Sequence, residues 1–284
     1  MTKFTIIADS CCNLYERDFR GAGFNFFVAP LQLTVGEKHF EDNQDLNTRE
    51  LVDAINSTKQ CPKSACPSVE TFKQLFEKND NIIAVLLSSK LSGTYQSALA
   101  AYNEVIEKSP KKKIFLLDSL SACTGLDFLV LKVRELIESG FNFEEVVSKI
   151  KDFRPSHRVR FLLYDLGNLI KNGRLNKIVG KILGTAGIKL VCGDDGNGEI
   201  KKYGMSLGIR RGLSALADLI GSDIKKDNRG LDRKIMISHV HNVQDAEFLS
   251  NLLKTKYNLT NISISPMRGT SCLYAADKGI VAAY

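Results

Sequence analysis

Three runs of apolar residues organise the first part of the chain: Phe4-Thr5-Ile6-Ile7-Ala8, Asn81-Ile82-Ile83-Ala84-Val85-Leu86-Leu87 and Lys113-Ile114-Phe115-Leu116-Leu117. None alternates apolar with polar positions, so each reads as a strand buried on both faces, as in a parallel sheet covered by helices. Between them apolar residues recur at helical spacing over Asn47 to Thr58, Ser68 to Lys78, Ser92 to Lys108 and Thr124 to Ser139, which makes βαβ crossovers. Ser68 and Ser92 stand as hydroxyl caps ahead of two of these helices, and Gly140 is a stop after the last.

The pattern breaks at KDFRPSHRVR, a polar and basic stretch with Pro155 in its middle, which reads as a boundary. Beyond it come the apolar Phe161-Leu162-Leu163-Tyr164, a helical stretch to Lys171, the turn Asn172-Gly173-Arg174 and another helix to Leu183. A strand over Ile188 to Val191 and one over Glu199 to Met205 flank a glycine-rich hairpin turn, Gly193 to Gly198. A helix from Ile209 to Ile220, a strand from Lys234 to His239 and a helix from Asp245 to Tyr257 follow. Strands at Asn261 to Ile264 and Gly279 to Ala283 close a mixed sheet. The expectation is an α/β chain: residues 1–155 as a parallel-sheet α/β domain, residues 156–284 as a second α/β domain with a mixed sheet, and a ligand enclosed between or within them.

Composition adjusts this picture little. At 284 residues the chain exceeds the roughly 250 at which single cores stop growing, in keeping with two domains. With 44% hydrophobic residues, 25% charged residues and six prolines it is an ordinary folded chain, not a disordered, collagenous or disulfide-built one. The net charge of +7 is scattered, with no basic stripe interleaved with aromatics, so nucleic acid is not an expected partner. Lys111-Lys112-Lys113 and the stretch from Lys225 through Lys234 read as solvated ends of elements. Seven cysteines at unrepeated spacings argue against a metal site. No segment approaches the ~18 apolar residues of a membrane span, and the chain opens without a leader pattern, so a reducing cytoplasm is the expected setting.

Open parallel sheets bind ligands beyond the carboxyl ends of their strands. Here those ends carry Asp9-Ser10, Ser88-Ser89 and Asp118-Ser119, joined by Ser64 in KSACPS and by Ser92-Gly93-Thr94, where Gly93 allows close backbone approach. Together they form a hydroxyl-rich rim beside helix amino termini, suited to an anion held by neutral donors. The same residues also serve as ordinary turns and caps, and composition alone does not separate the two uses. There is no Gly-x-Ser-x-Gly elbow and no Gly-rich run ending in Gly-Lys-Ser or Gly-Lys-Thr. His239 and His241, two apart on a strand, would face one side, but without a third ligand they read as strand-end hydrogen-bonding groups rather than a metal pair.

Read in order, several segments resemble the DegV family, the fatty-acid-binding proteins that serve as lipid-carrying subunits of bacterial fatty acid kinase. They are Ala8-Asp9-Ser10-Cys11-Cys12-Asn13-Leu14, Lys63-Ser64-Ala65-Cys66-Pro67-Ser68, Ser88-Ser89-Lys90-Leu91-Ser92-Gly93-Thr94-Tyr95-Gln96-Ser97-Ala98 and Leu169-Ile170-Lys171-Asn172-Gly173-Arg174-Leu175. The third is nearly the family signature. The resemblance implies a bound long-chain fatty acid as the only ligand, no cofactor, no catalytic residues, and the kinase's catalytic subunit as partner. By position it places the carboxylate against Ser64, Ser92 and Gly93. A family His falls on Ser271, in Arg268-Gly269-Thr270-Ser271-Cys272-Leu273-Tyr274-Ala275, where the family Gly-Pro-Gly is missing. Arg174 and Arg210 lie where the family keeps basic residues, and are expected to meet the partner or the acyl phosphate.

The physics of an acyl ligand agrees. A chain of about sixteen carbons gains on the order of 12 kcal/mol when its methylenes leave water, before association costs. Hydroxyls and helix N–H groups then satisfy the carboxylate without a buried Arg. The alternative is an enzyme acting on a small acyl or phosphorylated substrate at the same rim. Lack of a nucleophile elbow, a metal triad and a nucleotide loop favours the carrier.

Overall fold

The structure is a computed structural model that describes residues 3–21, 23–175, 188–227 and 233–284. Strands β1 (Thr5–Asp9), β2 (Asn25–Ala29), β6 (Ile82–Leu86) and β7 (Ile114–Asp118) form a parallel sheet in the order β2-β1-β6-β7. Successive side chains of a strand point to opposite faces, and here both faces are covered. Ile6, Ala8, Ile83 and Val85 pack with α4 (Thr124–Glu138) and α5 (Phe143–Phe153). Ile7, Ile82, Ala84 and Leu86 meet Phe72 and Phe76 of α2 (Val69–Lys78) together with α3 (Thr94–Lys108). That is why these runs carry no polar alternation.

A small antiparallel sheet, β4 (Lys38–Glu41), β3 (Gln32–Val35) and β5 (Lys63–Ala65), lies outside the sequence expectation, as do β2 and α5. Register sets Ser64 opposite Leu33. Helix α1 (Thr48–Ser57) starts at Asn47, whose Oδ1 accepts from the amides of Arg49 at 3.0 Å and Glu50 at 3.3 Å.

Six strands make the mixed sheet: β8 (Val159–Leu162), β9 (Ile188–Asp194), β10 (Ile200–Leu207), β11 (Ile235–His239), β12 (Ile262–Pro266) and β13 (Ile280–Ala283), in the order β10-β9-β8-β13-β11-β12. Only the β11–β12 pairing is parallel. Leu162, Ile280 and Ala282 pack under α7 (Ile209–Lys226) and α8 (Val243–Tyr257). The opposite face, with Val159, Phe161, Val281 and Ala283, shares one core with Leu33, Leu51 and Phe128. Two short helices, α6 (Gly167–Lys171) and α9 (Gly269–Ala275), edge that core. The fold is thus α/β with a parallel sheet and a separate mixed sheet. The expected helix to Leu183 lies in large part outside the described residues, as does much of the Lys225 to Lys234 stretch.

Local details correct two expectations. Ser68 caps α2, accepting from the Thr71 amide at 3.0 Å. Ser92 does not cap α3: Gly93 holds that position, and the Ser92 hydroxyl accepts from the Thr94 amide at 3.3 Å and pairs with Thr94 Oγ1 at 2.9 Å. The two histidines do not share a strand face, because β11 ends at His239 and His241 has φ +47°. His239 Nδ1 accepts from the Asn242 amide at 3.1 Å, and His241 Nε2 pairs with Thr48 Oγ1 at 3.1 Å. Among the described residues no group of three or more His, Cys, Asp or Glu could hold a metal ion, and no helix is long and apolar enough to cross a membrane.

Candidate functional site

One cavity lies between the carboxyl edge of the parallel sheet and the inner face of the mixed sheet, with room for the centre of a water molecule over about 120 Å³. Its walls are overwhelmingly apolar: Val159, Phe161 and Val281 come from the mixed sheet, Leu87, Leu91 and Leu120 from the ends of the parallel sheet. Ser64, Ser92, Ser271 and Arg174 all line it. Gly93 heads α3 next to Ser92, with φ −73°, and a Cβ there would meet Cys66 Sγ at 3.4 Å. Neither backbone conformation nor packing therefore demands a glycine at that position.

The hydroxyls of Ser10, Ser88 and Ser119 are used internally. Ser10 Oγ accepts from the Leu31 amide at 2.9 Å, and Asp9 accepts from the amides of Leu87 at 2.6 Å and Cys11 at 3.0 Å. Ser88 Oγ donates to the Gly198 carbonyl at 2.8 Å, tying the β9–β10 turn to the parallel sheet. Asp118 accepts from the amides of Ser89 at 3.1 Å and Leu120 at 3.2 Å. Strand-end Asp-Ser and Ser-Ser pairs here build the loops that carry the cavity wall. Arg210 stands outside the cavity, 3.5 Å from Asp245 and with its guanidinium 4.2 Å over the Phe248 ring.

The polar end is assembled by α6 and the turn after it. Asn172 Nδ2 donates to the Pro62 carbonyl at 3.0 Å, just ahead of β5 and Ser64, and Gly173 turns the chain with φ +74°. Arg174 then donates through Nε to the Leu91 carbonyl at 3.2 Å and through Nη1 to the Asn172 carbonyl at 2.6 Å. Asn168 Nδ2 donates to the Leu273 carbonyl at 2.8 Å, locking α6 to α9.

Helix α9 is anchored by a buried polar network to which the sequence reading assigned no role. Asp42 accepts from the Thr270 amide at 2.7 Å, Thr270 Oγ1 at 2.6 Å and the Gly269 amide at 3.2 Å. The Arg268 guanidinium donates to the carbonyls of Leu14 at 2.8 Å and Asp42 at 3.2 Å. Asn13 accepts from the Arg268 amide at 3.0 Å and donates to Asp127, through its own amide at 2.6 Å and Nδ2 at 2.8 Å. Ser121, too, belongs to the site without any motif to mark it. It is 4% exposed, lines the cavity, and its hydroxyl has no hydrogen-bond partner among the described residues.

Burial governs the electrostatics. It pushes the Asp9 carboxyl up to about 7, against hydrogen bonds from Leu87 and Cys11, and Asp127 up to about 6. Burial also raises Asp42 in spite of Arg268, and holds Cys11 and Cys123 above the ordinary thiol range, so the cavity wall presents neutral thiols rather than nucleophiles. A carboxyl raised by folding contributes stability that is fully present below its unfolded value and is lost as pH rises through the folded one. For Asp9 that loss accrues from about 3.8 to about 7. Asp9→Asn is therefore expected to destabilise the protein at pH 5, where a hydrogen bond is lost. The deficit should shrink or reverse at pH 8, where the parent buries a charge. Chemical denaturation at both pH values measures this, and a deficit that grows toward pH 8 would contradict it.

The DegV family model, described as "Uncharacterised protein, DegV family", matches residues 3–283. A DegV domain-containing protein of Streptococcus pyogenes serotype M18 is 33% identical over 279 residues, covering 98% of each chain. Among solved structures, a DegV family protein from Ruminococcus gnavus refined with vaccenic acid superposes with TM-score 0.92 at 29% identity over the full length of both chains. The Streptococcus pneumoniae Fatty Acid Kinase (Fak) B3 protein loaded with linoleic acid gives 0.91 at 29% identity over 99% of each chain. A DegV family protein from Eubacterium eligens loaded with heptadecanoic acid gives 0.88 at 27% identity, over 99% of this chain and 98% of that one. A match along the whole chain by family, sequence and fold together places this protein in the DegV family.

Proposed function

We propose that this chain is a non-catalytic carrier that encloses a long-chain fatty acid and presents its carboxylate to a separate kinase subunit. The observation that carries the reading is an apolar cavity whose polar end gathers Ser64, Ser92 and Arg174. Apolar walls supply affinity through the chain's methylenes, at about 0.8 kcal/mol each. Neutral hydroxyls at one end, with the backbone of Gly93 next to Ser92, supply donors to a carboxylate without neutralising it. Ser121 adds a buried hydroxyl with spare hydrogen-bonding capacity. The three acid-loaded structures hold this same fold, and the Fak B3 protein among them supports a kinase as partner. Seven free thiols suit a reducing cytoplasm.

Arg174, at the cavity wall, then serves the phosphoryl group, which a guanidinium grips with paired N–H donors, and Arg210 serves the kinase from outside. Ser64→Ala and Ser92→Ala are each expected to weaken fatty-acid binding by about 1–3 kcal/mol, because each removes a hydroxyl from the hydrogen-bonding set that receives a buried anion. Arg174→Ala should lower the rate at which a cognate kinase phosphorylates the bound acid at saturating lipid. Titration calorimetry on delipidated protein and a coupled phosphorylation assay check both. Parent affinity in the two serine variants would overturn the head-group assignment, and a parent rate in Arg174→Ala would remove the arginine's role.

A further inference from the structure

We infer that the phenol of Tyr274 makes the polar contact to the carboxylate that the position of Ser271 would otherwise supply. This rests on the fatty-acid reading above. Ser271 is 4% exposed, and its hydroxyl already donates to the Cys11 carbonyl at 3.1 Å. A serine has a single proton, so this one is spent on holding the loop after β1 against α9. Ser271 fixes the frame.

Tyr274 lies three residues further along α9 and also lines the cavity, with its hydroxyl 2.8 Å from Ser64 Oγ. Two hydroxyls that share one hydrogen bond use one proton between them, so with Ser64 Oγ donating to the phenol oxygen the phenol keeps its own O–H for an anion. The Tyr274–Ser64 pair is therefore a two-oxygen clamp with a spare donor, set at the polar end of the cavity. Beside it the Arg174 guanidinium sits 5.6 Å over the Tyr274 ring, fixed by the carbonyls of Leu91 and Asn172. Its positive charge favours an anion at the clamp over a neutral head group. The phenol is also held in place. Thr270 is bonded to Asp42 and the Leu273 carbonyl to Asn168, so the backbone that carries Tyr274 is fixed before the ligand arrives. An O–H donated to a carboxylate is charge-assisted, and stronger than one given to an alcohol.

The consequence is selectivity for acid over alcohol. Dissociation constants for a long-chain fatty acid and for the fatty alcohol of equal length are measured on delipidated parent, Tyr274→Phe and Ser271→Ala. Tyr274→Phe should weaken acid binding about tenfold or more while leaving alcohol binding within about twofold. Ser271→Ala should keep the parent's acid-to-alcohol ratio even if it lowers the melting temperature. Both lipids report on the same folded fraction, so the ratio decides whatever either variant does to stability. A parent ratio in Tyr274→Phe, or a ratio that collapses in Ser271→Ala alone, overturns the assignment of the phenol with the carrier reading intact. A parent that binds neither lipid overturns both.

Discussion

Arg268→Ala and Asp42→Ala are each expected to cost about 3–5 kcal/mol of stability, because breaking a buried ionic pair strands a charge without its partner. Arg268 is 2% exposed and Asp42 is fully buried. The pair is not held by a close bidentate contact: Nε and Oδ1 are 4.0 Å apart, Nε makes no hydrogen bond among the described residues, and Nη1 and Nη2 donate to the carbonyls of Leu14 and Asp42. Asp42 in turn accepts from Gly269 and Thr270. Either alanine would leave several buried donors or acceptors unsatisfied at once. Denaturant titration should show the loss as a lower midpoint with little change in slope. A loss below about 1 kcal/mol in both would mean that water reaches the network and that α9 is not anchored as described.

What the sequence disclosed follows from where information sits along it. Strands β1, β6 and β7 were legible because burial on both faces leaves an unbroken apolar run. The β3–β5 sheet was not: its strands are only three or four residues long, too short for the alternation of Gln32-Leu33-Thr34-Val35 to stand out, and β4 and β5 bury no side chain fully. Helix α5 carries one local signal, the capping box of Asn142 with Glu145. Within the site, motifs led to Ser64, Ser92 and Arg174, which the fold brings to one cavity. Ser271 lines the same cavity, but its hydroxyl donates to a main-chain carbonyl 260 positions away, and such a contact leaves no local pattern. Asp42 and Arg268 are separated by 226 positions and were silent for the same reason.

The second large effect concerns the apolar wall. Val281 sits on β13 opposite Phe161, and both side chains line the cavity. Val281→Trp would fill the space reserved for the acyl chain. Overpacking costs about 1–3 kcal/mol of stability, which a domain of ordinary stability survives. Displacing about four methylenes removes roughly 3 kcal/mol of transfer free energy, or about a hundredfold in affinity. The variant should therefore stay folded with every head-group hydroxyl in place and bind fatty acid at least that much more weakly, while Val281→Ala keeps binding. Undiminished affinity in Val281→Trp would place the chain in some other part of the molecule.

The same pair of proteins serves for the most direct measurement: organic-solvent extraction of freshly purified protein, followed by mass spectrometry and quantitation of acyl species per chain. The parent should release a long-chain fatty acid in stoichiometric amount, and Val281→Trp little or none. A parent extract free of fatty acid, from protein that after purification also fails to take one up, would contradict the carrier function.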